Sequence, residues 1–160
     1  MLPSQFENQT PQVLRRRPAT GSSLHQVSED RRELTLEEIA RALPGTGELM
    51  ASIGRSYGAC WHAAHGGNWD LAAYFLRRVR GAQRALAIVR PKYREHLAEF
   101  DADALTPLLA VLEARDLRGF DRAYDHAVER TNHYHVLNGK SYVRWKRPER
   151  APDDLDLGPA

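Results

Sequence analysis

Apolar residues recur at helical spacing through most of the chain, and no stretch alternates in the manner of a half-buried strand. From about residue 46 to residue 66 the stripe is Met50, Ile53, Tyr57, Cys60, Trp61 and Ala64, one buried face of a helix. Gly66-Gly67 stops it, because glycine reaches the left-handed C-terminal conformation at little cost. Asn68 is placed to cap a second helix running from Trp69 to Val89, with Ala72, Leu76, Val79 and Leu86 inward and Pro91 beyond its end. A loop through Phe100 follows, with one helical turn at 94–98. Asp103 then caps a third helix bearing Leu105, Leu108, Leu109 and Leu112, with Pro107 in its first turn. Asp116 starts a fourth, whose inner face includes Phe120, Tyr124, Ala127, Thr131 and His135, and Asn138-Gly139 closes it.

Upstream, Thr35-Leu36-Glu37-Glu38 has the form of a capping box and opens a short helix that stops before Pro44-Gly45. Residues 1–33 hold three of the nine prolines and few periodic apolar positions, the composition of a flexible arm. The predicted architecture is all-α: an antiparallel four-helix bundle at 34–146, preceded by the arm at 1–33 and followed by an extended C-terminal tail at 147–160.

Length suits one domain of this size with appended segments, and 23 basic against 21 acidic residues leave a formal charge of only +2. Beyond Arg15-Arg16-Arg17 no long basic run with interleaved aromatics is present, so a nucleic-acid partner is not expected. No apolar run is long enough to span a bilayer, and residues 1–23 lack the apolar centre of a secretory signal. The single cysteine, Cys60, allows no intrachain disulfide. A cytoplasmic location is the expectation.

The segment Thr131-Asn132-His133-Tyr134-His135 carries the most chemistry. Together with Met50, Trp61, Gly67-Asn68-Trp69-x-Leu71-Ala72-x-Tyr74, Phe120-x-x-Ala123-Tyr124 and Pro148, it resembles the cytochrome c-prime-like four-helix family over roughly residues 46–157. That family writes Cys-x-x-Cys-His at the haem-attachment segment. Here Thr131 and Tyr134 stand at the cysteine positions, which excludes covalent haem, while the iron-ligating histidine is kept as His135. The resemblance to soluble b-type four-helix cytochromes implies non-covalent haem b, with His135 and Met50 as its ligand pair and Tyr57, Trp61, Tyr124, Thr131 and Tyr134 around it. Electron transfer, gas binding or oxidative chemistry would follow, with a redox partner or a small-molecule ligand. The resemblance also implies a homodimer.

Two alternatives stay open. A haem-free bundle could bind a metal ion or a small molecule through its histidines. His62 and His65 are three apart and nearly on one helix face; His133 and His135 are almost on opposite faces and could share an ion only if the helix frays. The bundle could instead be an interaction module, with the arm and the tail as adhesive segments. No phosphate loop, His-Glu-x-x-His or nucleophile elbow is present, and Glu129-Arg130-Thr131-Asn132 lacks the histidine of a di-iron Glu-x-x-His. Whether the chain is an enzyme is left undecided by its residues.

Overall fold

The computed structural model describes residues 33–159, and among these every regular element is helical. The expected arm at 1–33 lies outside the described residues except for Glu33. The chain divides into two units between Leu43 and Pro44. In the first, helix α1 (Leu36–Ala42) begins with the capping box read from the sequence: Thr35 Oγ1 accepts from the Glu38 N–H, and Glu38 returns the bond to the Thr35 N–H at 2.9 Å.

The second unit holds α2 (Thr46–His65), α3 (Trp69–Val89), α4 (Arg94–Phe100), α5 (Thr106–Glu113) and α6 (Leu117–Leu137). Each long helix starts where a side chain supplies the missing acceptor. Glu48 reaches back to the Gly45 N–H, Asn68 Oδ1 takes the Leu71 N–H, and Asp116 Oδ1 takes the Gly119 N–H. Gly67 and Gly139 follow α2 and α6 with φ of +79° and +68°, a backbone conformation glycine adopts without strain.

The expected loop before a third helix capped by Asp103 is not formed. A 3-10 turn at Pro91–Tyr93 leads into α4, and a π turn at Asp101–Leu105 joins α4 directly to α5. The reason is Pro107, which has no N–H to continue the ladder. The helix widens just before it, and the Thr106 N–H bonds five residues back to Asp101. The Arg80 guanidinium clasps the Asp101 carboxylate through bonds of 2.6 and 2.7 Å and holds its pKa below the usual carboxylate value.

Helix α2 packs most extensively on α3, and Ala59, Ala63, Ala64, Ala72 and Ala73 are buried along the two helices. Helix α3 also meets α4 and α5, and α6 closes against α2, α4 and α5. Helices α3 and α6 therefore stand across the interior from one another. The Cys60 thiol lies wholly inside this core, its pKa pushed up to about 12 by burial.

The tail forms no regular structure, yet it does not project. Trp145 lies over Gly54, where any Cβ would collide with the indole. Asn132 grips its backbone twice, accepting from the Trp145 N–H at 2.7 Å and donating to its carbonyl at 2.9 Å. Arg147 pairs with Asp125 at 2.6 Å and lies 4.7 Å above the Trp61 ring. Leu157 is buried in the core, and Asn68 donates to the Gly158 carbonyl at 2.7 Å. Trp145, Arg147, Leu157 and Gly158 thus tie the tail to the second unit.

Candidate functional site

Four helices and the segment after α6 enclose a cavity of about 670 Å³, within the range of roughly 300–1,000 Å³ typical of ligand and cofactor sites. Met50 enters from α2, Gln83 and Leu86 from α3, Tyr93 from the 3-10 turn, and His96 and Phe100 from α4. Helix α6 contributes Thr131, Tyr134 and His135, and the following segment contributes Tyr142, Val143 and Trp145. The wall is mainly aliphatic and aromatic, with a few polar groups between.

The two histidines of the wall are held in opposite states. His135 Nδ1 lies 3.0 Å from the Val143 carbonyl. A carbonyl only accepts, so Nδ1 carries the hydrogen and Nε2 keeps its lone pair. This is the arrangement that orients a metal-ligating histidine. Burial lowers the His135 pKa from 6.5, against the opposite pull of the Val143 bond, so the ring is neutral at neutral pH. His96 is the reverse. The Asn138 amide nitrogen donates to the Tyr134 carbonyl at 2.8 Å, which fixes the amide's orientation. The same nitrogen lies 3.2 Å from His96 Nδ1, which must accept. Neutral His96 therefore carries its hydrogen on Nε2 and is a donor, not a ligand.

Tyr134 is buried. Its hydroxyl donates to Glu99 and accepts from Arg130, each at 2.9 Å, and desolvation raises its pKa, aided by the Glu99 bond. Gln83 is different. It is only 7% exposed, and its Oε1 has no hydrogen-bond partner.

No family model, curated protein or solved structure matches this chain.

Of the residues expected at the site, Met50, Thr131, Tyr134 and His135 share the cavity wall. Tyr57, Trp61 and Tyr124 do not belong to it. They form a packed aromatic cluster, with Tyr57 and Tyr124 stacked at 4.4 Å and Trp61 4.7 Å from Tyr124. The Tyr124 hydroxyl donates to the Tyr57 carbonyl at 3.2 Å, and burial drives both phenol pKa values upward. Helix geometry explains the separation: Tyr57 and Trp61 sit about 10 and 16 Å beyond Met50 along α2.

The remaining histidines are scattered. His65 spends Nδ1 on the Trp61 carbonyl at 2.9 Å and Nε2 on Asp121 at 3.1 Å. His62 has a buried Nε2 without a partner but is not in the cavity wall. His133 is exposed and lines a separate crevice with Glu129 and Arg144. Among the described residues no three His, Cys, Asp or Glu side chains converge as a metal site. Sequence reasoning missed His96, which fell in an expected loop, and Gln83. The latter left a signal: a polar side chain at the inward position between Val79 and Leu86.

Proposed function

We propose that this chain is an antiparallel four-helix bundle of the cytochrome c-prime-like kind that binds haem b without covalent attachment, with His135 as iron ligand. One observation carries the reading: the imidazole at 135 is half-buried in the wall of a large apolar cavity, kept neutral, with its Nδ1 hydrogen fixed on Val143. The rest of the wall suits a flat apolar macrocycle. Leu86, Leu97, Phe100 and Trp145 supply contact surface, and Lys140 supplies a cation for a carboxylate. The thioether of Met50, in the same wall, is the candidate second ligand. Thr131 and Tyr134, which replace the thioether-forming cysteines, bring a side-chain hydroxyl each to the wall and no thiol.

When bound, haem b supplies one-electron redox chemistry and a coordination position for a small ligand. The protein's own residues would set the orientation. Val143 would hold the His135 ring, Tyr142 and Trp145 would exclude water, and Tyr134, anchored on Glu99 and Arg130, would keep α4 and α6 at a fixed separation.

Hemin titration of the purified chain tests the reading. A stoichiometric complex with a sharpened Soret band is expected, abolished or shifted in His135→Ala and retained in His96→Ala, whose ring is held as a donor. A complex indifferent to His135, or none at all, would end the proposal.

A further inference from the structure

We infer that the outer face of α3 is a docking seam for an acidic amphipathic helix of a partner protein. The inference does not rest on haem. Helix α3 gives Leu86 to the cavity wall, about 140° round the helix from Gly81 at the seam's centre. Tyr74, Gly81 and Ile88 recur every seven residues, and Arg77 and Arg84 follow the first two by three, so the five hold the first and fourth positions of successive heptads. At 100° per residue they share a sector of about 80°, and the stripe runs about 21 Å. All five are exposed, Tyr74 by 47% and Ile88 by 74%, and a Cβ added at Gly81 would meet nothing within 4 Å. An exposed heptad stripe on a long helix is one half of a helix–helix contact.

Charge specifies the other half. Residues 71–94 hold seven arginines and lysines and no acidic residue, whereas α6 mixes three arginines with three carboxylates. Arg77 and Arg84 make no hydrogen bond or ion pair with any described residue, and Asp101, close enough to feel Arg84, is clasped by Arg80. The same stripe of a second copy would set arginine against arginine, which excludes this face as its own partner. A nucleic-acid strand needs successive ring faces to stack on. The stripe has one ring, Tyr74, with the Arg78 guanidinium 5.8 Å above it and the Phe75 ring at 5.3 Å. A bilayer surface needs a broad apolar face, and here the two large apolar side chains stand at opposite ends of the stripe. A protein helix fits better. The small centre at Gly81 admits its backbone, its apolar residues meet Tyr74 and Ile88, and carboxylates along its edge take Arg77 and Arg84.

The probe is a fluorescent helical peptide of three heptads with leucine at the first and glutamate at the fourth position of each; its twin carries lysine for glutamate. The full chain is titrated into each at low ionic strength. The acidic peptide should bind at least about tenfold more tightly than its twin, and the difference should shrink as NaCl is added. The double variant Arg77→Glu/Arg84→Glu should reverse the preference. Ile88→Ser should weaken binding of the acidic peptide roughly tenfold, the factor one buried aliphatic side chain supplies. These positions are exposed, so thermal melts should show each variant folded as the wild type is. An acidic peptide that the wild type ignores, or that the double variant binds equally well, overturns the inference. So does undiminished binding by Ile88→Ser, which would reduce the contact to unspecific charge attraction. Tighter binding of a short oligouridylate or of phosphatidylserine vesicles than of the peptide also overturns it, and gives the face to a nucleic acid or a membrane. Hemin titration is unaffected by any of these outcomes, so the two proposals stand or fall separately.

Discussion

Two histidines of one cavity wall are assigned opposite roles by what their Nδ1 atoms meet. Val143 offers His135 a carbonyl, and Asn138 offers His96 an amide hydrogen. The first leaves a lone pair on Nε2 and the second leaves a hydrogen there. Because burial lowers the His135 pKa below 6.5, the unfolded chain takes up this proton before the folded one does. Stability from this residue is therefore present above pH about 6.5 and declines as the pH falls below it. Chemical denaturation between pH 8 and pH 5 should show that decline in the wild type, and a weaker one in His135→Phe. Hemin affinity should also drop on acidification, approaching tenfold per pH unit once the ring is protonated, because proton and iron compete for Nε2. Gln83 makes the opposite prediction for the protein without ligand. Its unpaired carbonyl costs stability, so Gln83→Leu should raise stability by about 1 kcal/mol and Tm by roughly 3 °C in a thermal melt. A loss of stability would mean that Gln83 has a partner.

Among the elements, the segment after α6 closes the wall between α2 and α6. Asn132 is its clasp, and its two bonds to the Trp145 backbone contribute about 2 kcal/mol by ordinary values. Asn132→Ala should cost that much and free residues 143–147 for faster amide hydrogen exchange, with the long helices unaffected. Exchange unchanged at 143–147 would show that Trp145 packing on Gly54 suffices alone. The sequence announced the helices well, because their ends are written in local chemistry: Thr35 with Glu38, Asn68, Gly66-Gly67, Asp116 and Gly139. It misled at 91–113, where Pro91 and Pro107 read as breaks but are absorbed by a 3-10 turn and a π turn. It was silent on the segment's course, since Asn132 and Trp145 are linked only through three dimensions. His135 and Met50 were legible as a pair sharing one end of the helices. His96 and Trp145 were not, because their membership of the cavity depends on where α4 and the final segment come to rest.

At the scale of the molecule, the division at Leu43–Pro44 meets the site's composition in a way that can be measured. Every residue of the cavity wall, from Thr46 to Trp145, belongs to the second unit, as do the core residues around it. Helix α1 is seven residues long, shorter than the dozen or so at which an isolated helix becomes even marginally stable, and Leu36 and Ile39 are exposed on it. A chain beginning at Pro44 should therefore fold with nearly unchanged Tm and titrate hemin with the full-length affinity, within about twofold. Removing residues 140–160 instead deletes Trp145, Val143 and Leu157. That variant loses one wall of the cavity, the carbonyl that orients His135, and a buried leucine whose removal alone costs about 2–5 kcal/mol. It should melt markedly earlier and lose His135-dependent hemin binding. If the first truncation abolished binding and the second spared it, the site would lie elsewhere than in this cavity.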